Sequence, residues 1–266
     1  MSVITLTTDF GVLDWFVGTM KGVILSINPR TSIVDITHEI PAGDIHAAAF
    51  ALAASYRYFA ENTVHVAVVD PGVGGRRKAI AVRTADYLFV GPDNGVLSFV
   101  LAREKIQSIR LLTNRKLFLP HVSRTFHGRD VFAPVAARLR KGLPIEKVGP
   151  PATHFVKLEW PAPKPKGTSI DGEIVYIDRF GNAITNLDPD SLAAIGTSGV
   201  RLVVFGRRRC PLKPLYQAVP TGKPVAVFGS SGFLELAVNG GSAARLLGLN
   251  VGDRVSVRRR RTRGNR

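Results

Sequence analysis

The sequence predicts an α/β protein: a mostly parallel sheet with helices on both faces, followed by a smaller β-rich, barrel-like domain. Two observations predict it. Through the first half, short apolar strand patterns alternate with helix-period patterns, the signature of β-α units whose strands lie parallel. After a proline- and lysine-rich stretch at residues 160–167 (WPAPKPKG), long helix patterns become scarce and short strand patterns recur between turn residues. The chain has 266 residues, 45% of them apolar, enough for one large domain or two modest ones.

Residues 4–9 (ITLTTD) form the first apolar strand. A helix pattern follows, with Phe16, Met20, Val23, Ile24 and Ile27 on one face, and Pro29 stops it. Residues 32–37 (SIVDIT) read as a strand. Asp44 is placed to cap the next helix, whose apolar face is Ile45, Ala48, Ala49, Leu52, Ala53 and Tyr56. Residues 64–70 (VHVAVVD) are an apolar run interrupted only by His65 and closed by Asp70, as in a strand covered on both faces. Strands near 79–83 and 87–90, a helix near 96–104, a strand near 108–112 and a helix at 131–139 ending near Gly142 complete the first half. Beyond the linker, strands are expected at 172–178, 200–205, 224–228, 233–238 and 254–257. The expected organisation is an α/β domain at 1–159, a linker at 160–167, a β-rich domain at 168–257 and a basic tail at 258–266.

Composition narrows the function classes. No apolar run approaches the ~20 residues of a membrane span, and the N-terminus lacks the basic start of a signal peptide. The lone cysteine, Cys210, allows neither an internal disulfide nor a cysteine metal site, so a cytoplasmic setting is expected. None of the six histidines is spaced as a metal ligand pair, and no metal site is expected. The net charge is +16, of which the tail arginines 258–261, 263 and 266 carry six. A terminal run of like charge reads as a solvated tail. No helix-turn-helix, zinc-finger or RNA-binding pattern accompanies it, so a nucleic-acid partner is not expected.

Five motifs carry candidate chemistry. In Thr7-Thr8-Asp9-Phe10-Gly11, Asp9 ends the first strand, at the sheet edge where ligands bind in open α/β folds. A carboxylate there can accept both hydroxyls of a ribose, whereas nearby Asp14 reads first as a helix cap. Neither GxGxxG nor a Walker loop occurs, which favours an unphosphorylated, nucleoside-like ligand. In Asp70-Pro71-Gly72-Val73-Gly74-Gly75-Arg76-Arg77, a carboxylate enters a tight glycine loop with a guanidinium beyond it; a plain turn with a surface ion pair fits equally well. In Thr125-Phe126-His127-Gly128-Arg129-Asp130, His127 precedes a helix for which Asp130 is a fair cap. In the β-rich half, Asp178-Arg179-Phe180-Gly181-Asn182 offers a carboxylate and an amide to a zwitterionic amino acid. The segment from Ser230 and Ser231 through Phe233 and Val238 to Asn239 and Gly240 is turn-rich, and Phe180 and Phe233 are suited to stack on a purine.

Taken in order, TTDFGxxDxxVGxMKGVI, NPxxxIVDITHEIP, VVDPGVGxxR, TFHGRD, DRFGNAITN and SSGFLELAVN resemble the S-adenosyl-L-methionine (SAM) hydroxide adenosyltransferases, relatives of the SAM-dependent fluorinating and chlorinating enzymes. The likeness spans residues 4–257. It implies hydrolysis of SAM by hydroxide attack at C5′, with adenosine and methionine as products, SAM as substrate and no cofactor. It also implies a homotrimer with each site between neighbouring subunits. The family's Asp–Arg–His trio falls on Asp70, Arg77 and His127, with Arg76 the alternative arginine; which of Asp70 and His127 takes the proton is left open. Asp9 matches the ribose-binding aspartate, and Asp178 and Ser231 match positions holding the methionine part. Phe180, Asn182 and the backbone around Asn239 match the pocket for nucleoside or methionine. The expected substrate set also takes in Asp14, Phe126, Gly128, Ser230, Phe233, Val238 and Gly240. Halogenating relatives place an aromatic and small hydroxyl residues where this chain has Asp70, Val73 and Gly128, and a negative Asp70 would repel a halide. The alternatives are such a halogenase or a non-catalytic SAM or adenosine sensor.

Overall fold

The computed structural model describes residues 3–193, 195 and 201–259. The chain divides into two compact units, Met1–Leu158 and Glu159–Arg266.

The first unit is built on β1 (Val3–Thr8), α1 (Phe16–Ile27), β2 (Ser32–Thr37), α2 (Ile45–Ser55), β3 (Val64–Val68), β4 (Ala79–Thr84), β5 (Leu88–Pro92), α3 (Ser98–Leu101), β6 (Ile106–Leu111) and α4 (Ala133–Arg140). Its six strands run in the order β2-β1-β3-β5-β4-β6, and β4 alone runs opposite to the other five. This is the mostly parallel sheet that the alternation predicts. Central strands β3 and β5 are buried at every position, while edge strand β2 is half exposed. Ile4, Leu6, Val66 and Val68 meet Met20 and Ile24 of α1 and Val135 and Leu139 of α4 in one core. Asp44 caps α2 as expected, accepting from the Ala47 N–H at 2.9 Å.

Topology decides where a ligand can enter. The chain leaves β1 toward β2 on one side, then crosses back to β3 on the other. The carboxyl ends of β1 and β3, paired through Thr8 and Val68, therefore flank the point where strand order reverses. The segments that leave the two strands, toward α1 and toward β4, diverge there and leave a crevice. Asp9 and Asp70 stand just beyond those two ends.

The second unit comprises β7 (Lys164–Lys166), β8 (Ser169–Ile177), β9 (Ala183–Thr185), α5 (Pro189–Ala193), β10 (Arg201–Phe205), β11 (Arg208–Pro211), β12 (Pro224–Phe228), β13 (Leu234–Val238), α6 (Ala243–Leu247) and β14 (Arg254–Arg259). Its sheet runs β11-β10-β14-β8-β9-β13-β12 with antiparallel pairing, and a bridge between Leu212 and Ala226 nearly closes it into a barrel. Ile170, Ile174, Val203, Leu234, Leu236 and Val257 fill the interior.

Several local expectations are corrected. Part of the expected linker is strand: β7 pairs with β8 around a turn in which Gly167 holds φ +58°. Pro165 is tolerated because β7 is an edge strand and the missing N–H breaks no interior ladder. Arg258 and Arg259 belong to β14, held by pairing with β10; residues 260–266 of the expected tail, and Val200 of an expected strand, lie outside the described residues. The helix expected at 96–104 shortens to the four residues of α3. Asp14 does not cap α1, whose N-cap is Trp15 without a side-chain bond. Asp130 is no cap either. It lies in a π-helical turn, Gly128–Phe132, that precedes α4. There it is fully buried, accepts from the Ser123 N–H at 2.8 Å, and pairs with Arg129 at 2.6 Å. A π turn inserts one residue into the helical register, so side chains placed by 3.6 periodicity shift at that point.

Candidate active site

At the β1/β3 crevice lies a cavity of about 480 Å³, lined among others by Asp9, Phe10, Phe16, Gly43, Asp70, Val73, Phe126, His127 and Gly128. One wall is aromatic. The Phe10, Phe16 and Phe126 rings stand 5.1–5.8 Å apart in tilted and edge-on contacts. Gly128 packs closely against that wall: a Cβ would come within 3.2 Å of Met20 Sδ and of the Phe126 ring, so a larger residue would push these neighbours back by a few tenths of an ångström. The opposite side is polar. Asp9 Oδ2 accepts from the Gly43 N–H at 2.8 Å, which ties the β1 loop to the loop before α2.

The central feature is a hydrogen-bonded cluster. Arg77 Nε donates to both Asp70 oxygens at 2.9 Å, and Arg77 Nη2 donates to Asp70 Oδ2 as well. The same Nη2 lies 2.8 Å from His127 Nδ1. Arg76 is exposed, so Arg77 is the arginine that meets the aspartate. The Asp70 and Arg77 side chains are only 4% and 12% exposed. A pair this dry requires good geometry to offset its desolvation, and the forked contact supplies it. The Arg77 guanidinium also stands 5.4 Å from the Phe132 ring centroid. Guanidinium has no lone pair to offer, so His127 Nδ1 is the acceptor and the neutral ring carries its proton on Nε2. Burial, helped by the positive charge of Arg77, holds the His127 pKa below its ordinary value, in keeping with that neutral form.

Backbone geometry holds the cluster in place. Gly74 has φ +72°, and a Cβ there would fall 2.1 Å from the Arg124 carbonyl oxygen. Bare glycine thus lets the 70–77 loop lie on the segment that leads to His127. Asp14 is exposed and does not line the cavity.

The second unit treats its candidate residues differently. Asp178 and Asn182, read as two groups facing a ligand, bond to each other: Asp178 accepts from the Asn182 N–H at 2.8 Å and from its Nδ2 at 3.0 Å. They close a turn in which Gly181 has φ +83° and sits against Ser242. Phe180 at its tip is 78% exposed. Phe233 is buried with its ring 5.3 Å from Trp160, so it packs the unit rather than presenting a free face. Asn239 Nδ2 donates to the Val219 carbonyl at 2.8 Å, Val238 is buried, and Gly240 turns the chain at φ +73°. Ser230 is exposed. Ser231 Oγ is buried without a hydrogen-bond partner among the described residues.

Sequence reasoning missed Glu235 and Tyr216. Glu235 is buried on β13 and accepts from the Tyr216 hydroxyl. Burial raises both pKa values. Room for the carboxylate exists because residue 229 is glycine, whose Cβ would fall 2.1 Å from Glu235 Oε2. An acidic residue within an otherwise apolar strand was the available signal.

Fold and site together define a two-unit α/β protein with a carboxylate–guanidinium–imidazole cluster at the switch point of its parallel sheet. Residues 4–149 match the SAM hydroxide adenosyltransferase N-terminal domain, and residues 172–256 match the C-terminal domain. The chain belongs to the SAM hydroxide adenosyltransferase family, as the motif order implies. The (R)-S-adenosyl-L-methionine hydrolase of Salinispora tropica is 40% identical, over 96% of this chain and 97% of that protein. A fluorinase from an Actinoplanes species is more distant, 28% identical over 96% of this chain and 97% of its own. An uncharacterized conserved protein from Thermotoga maritima, solved by crystallography, superposes with a TM-score of 0.91 at 39% identity, over 96% of this chain and all of that one.

Proposed function

We propose that this enzyme hydrolyses SAM by attack of water-derived hydroxide at C5′, releasing adenosine and L-methionine. The observation that carries the mechanism is the Arg77 fork, which joins Asp70 and His127 on one face of the crevice. Water forms the O–C5′ bond as the C5′–S bond breaks. The bonding pair leaves on sulfur, turning the sulfonium into a neutral thioether, and one proton departs from the water. Because the leaving group is neutral, the work of the site is to aim the nucleophile and limit competing water. The single acceptor lone pair of His127 is taken by Arg77, whereas Asp70 Oδ1, bonded only to Arg77 Nε, keeps a free one, so we assign proton acceptance to Asp70. His127 Nε2–H then serves to orient the nucleophile, and Arg77 supplies fixed positive charge to hydroxide character. No cofactor enters this scheme.

Asp9 is assigned to the ribose hydroxyls, and Phe126 and Gly128 to the wall against the nucleoside. Phe180, Asp178 and Ser231 are assigned to the methionine and adenine parts, with Asn182, Ser230, Phe233, Val238, Asn239 and Gly240 shaping their loops. We assign the second unit's contribution to a neighbouring subunit of a homotrimer. In support, Val12, Leu13 and Trp15, on the loop between Phe10 and Phe16, are 68%, 98% and 67% exposed, an apolar surface that a partner would cover. A cytoplasmic setting accords with the single, buried cysteine.

The test is incubation of purified protein with SAM in ¹⁸O-labelled water, with and without chloride, read by mass spectrometry. Expected are ¹⁸O-adenosine and methionine in amounts that chloride leaves unchanged. A chloride-dependent haloadenosine would make the chain a halogenase, and binding without turnover would make it a sensor.

A further inference from the structure

A second cavity, of about 590 Å³, lies against the same cluster. Arg77 and His127 form part of its wall, and His127 is shared with the Asp9–Asp70 cavity. Around it stand Lys78, Arg115 and Arg124, all exposed. No carboxylate lines this cavity, and among the described residues none of these three cations forms a salt bridge. Elsewhere in the same unit, basic side chains with an acid in reach do pair, as Lys21 does with Asp35 and Arg129 with Asp130. The floor is apolar, with Leu112 and Val131 buried. A low-dielectric floor under unpaired cations concentrates positive potential in the concavity.

The geometry points to a binding site for a small multivalent oxyanion of the diphosphate class, held by Lys78, Arg115 and Arg124 behind the Arg77–His127 pair. Three cations lining one cavity match a multiply charged ligand better than a single carboxylate, and arginine forks suit phosphate oxygens. The volume exceeds that of one phosphate group. The site is distinct from the crevice, because Asp9 and Asp70 do not line it. Its occupant competes with Asp70 for Arg77 and favours protonation of His127, so it slows turnover. Only that consequence rests on the proposed hydrolysis; the binding does not.

The experiment is calorimetric titration of the full chain with inorganic pyrophosphate at fixed ionic strength without divalent cations, repeated on R115Q, R124Q and the double variant. These are exposed side chains outside the hydrolytic machinery. Expected is saturable 1:1 binding, weakened about tenfold by each substitution, the equivalent of about 1.4 kcal/mol each. Equal affinity in wild type and double variant overturns the site and assigns any binding to other basic residues; absence of saturable binding overturns it outright. In a parallel SAM assay, pyrophosphate lowers kcat of the wild type and spares the double variant. Binding at this site without any change in kcat refutes its coupling to Arg77 and His127.

Discussion

The two units handle polar groups in opposite ways. In the first, ionisable side chains from three places meet and bond to one another at a cavity: Asp70 after β3, Arg77 before β4, and His127 ahead of α4. In the second, polar side chains are consumed in bonding the unit's own turns and strands together. Asp178 holds Asn182, Tyr216 holds Glu235, and Asn239 holds the Val219 carbonyl. The contrast teaches that the first unit presents preorganised charge, the kind of device that acts on a reacting centre. The second presents shape: an exposed ring on a rigid turn, and loops locked by their own hydrogen bonds.

The sharpest way to break this comparison is Asp70→Asn, which keeps the shape of the cluster and removes its charge. We expect kcat to fall by about 10²–10⁴-fold, the range of acid–base assistance, with a much smaller change in SAM affinity. Steady-state kinetics beside equilibrium binding would decide it; parallel losses would reduce Asp70 to a structural role.

Gly181→Ala probes the opposite side. It imposes a Cβ at φ +83° and 2.0 Å from Ser242 Oγ. We expect a loss of about 1–3 kcal/mol in stability, read by chemical denaturation. An unchanged midpoint would mean that the turn is soft and the second unit less rigid than its hydrogen bonds imply.

His127 sharpens the comparison by pH. Its folded pKa is depressed by burial and by Arg77, so its contribution to stability is fully present above the ordinary histidine value of 6.5. That contribution is lost as pH falls from there through the lower folded value, by up to about 1.4 kcal/mol per pH unit in that window. An NMR titration of its ring protons should place the midpoint below 6.5, with activity falling along the same limb. A midpoint at or above 6.5 would contradict the acceptor role of Nδ1.

The smallest effect belongs to Phe180→Ala. The ring is 78% exposed, so thermal stability should not change. If the ring meets SAM, its loss should raise KM by an amount worth about 0.5–1.5 kcal/mol while kcat holds. An unchanged KM would remove Phe180 from the site.

The alternation of strand and helix patterns was enough to place Asp9 and Asp70 at one edge of one sheet. Right-handed crossovers leave few other arrangements for β-α units, and both aspartates end apolar strands. Glycine positions also marked the loops where backbone must come close or turn left-handed, as at Gly74 and Gly181. Local pattern determined the strand ends and the turns because each depends on residues near in sequence, although what a bare glycine lies against, Arg124 at Gly74 and Ser242 at Gly181, is far along the chain. Tertiary structure alone decided which partners the charges chose. Nothing local distinguishes Arg77 from Arg76 as the partner of Asp70. Nor does it reveal that Asp130 would be buried beside Arg129, that Asp178 would hold Asn182, or that Glu235 would take the Tyr216 hydroxyl. The cavity ringed by Lys78, Arg115 and Arg124 likewise exists only because β4, the segment after β6 and the approach to α4 meet in space. A charge is paired or left bare by what folding brings within a few ångströms of it, and a linear pattern does not carry that distance.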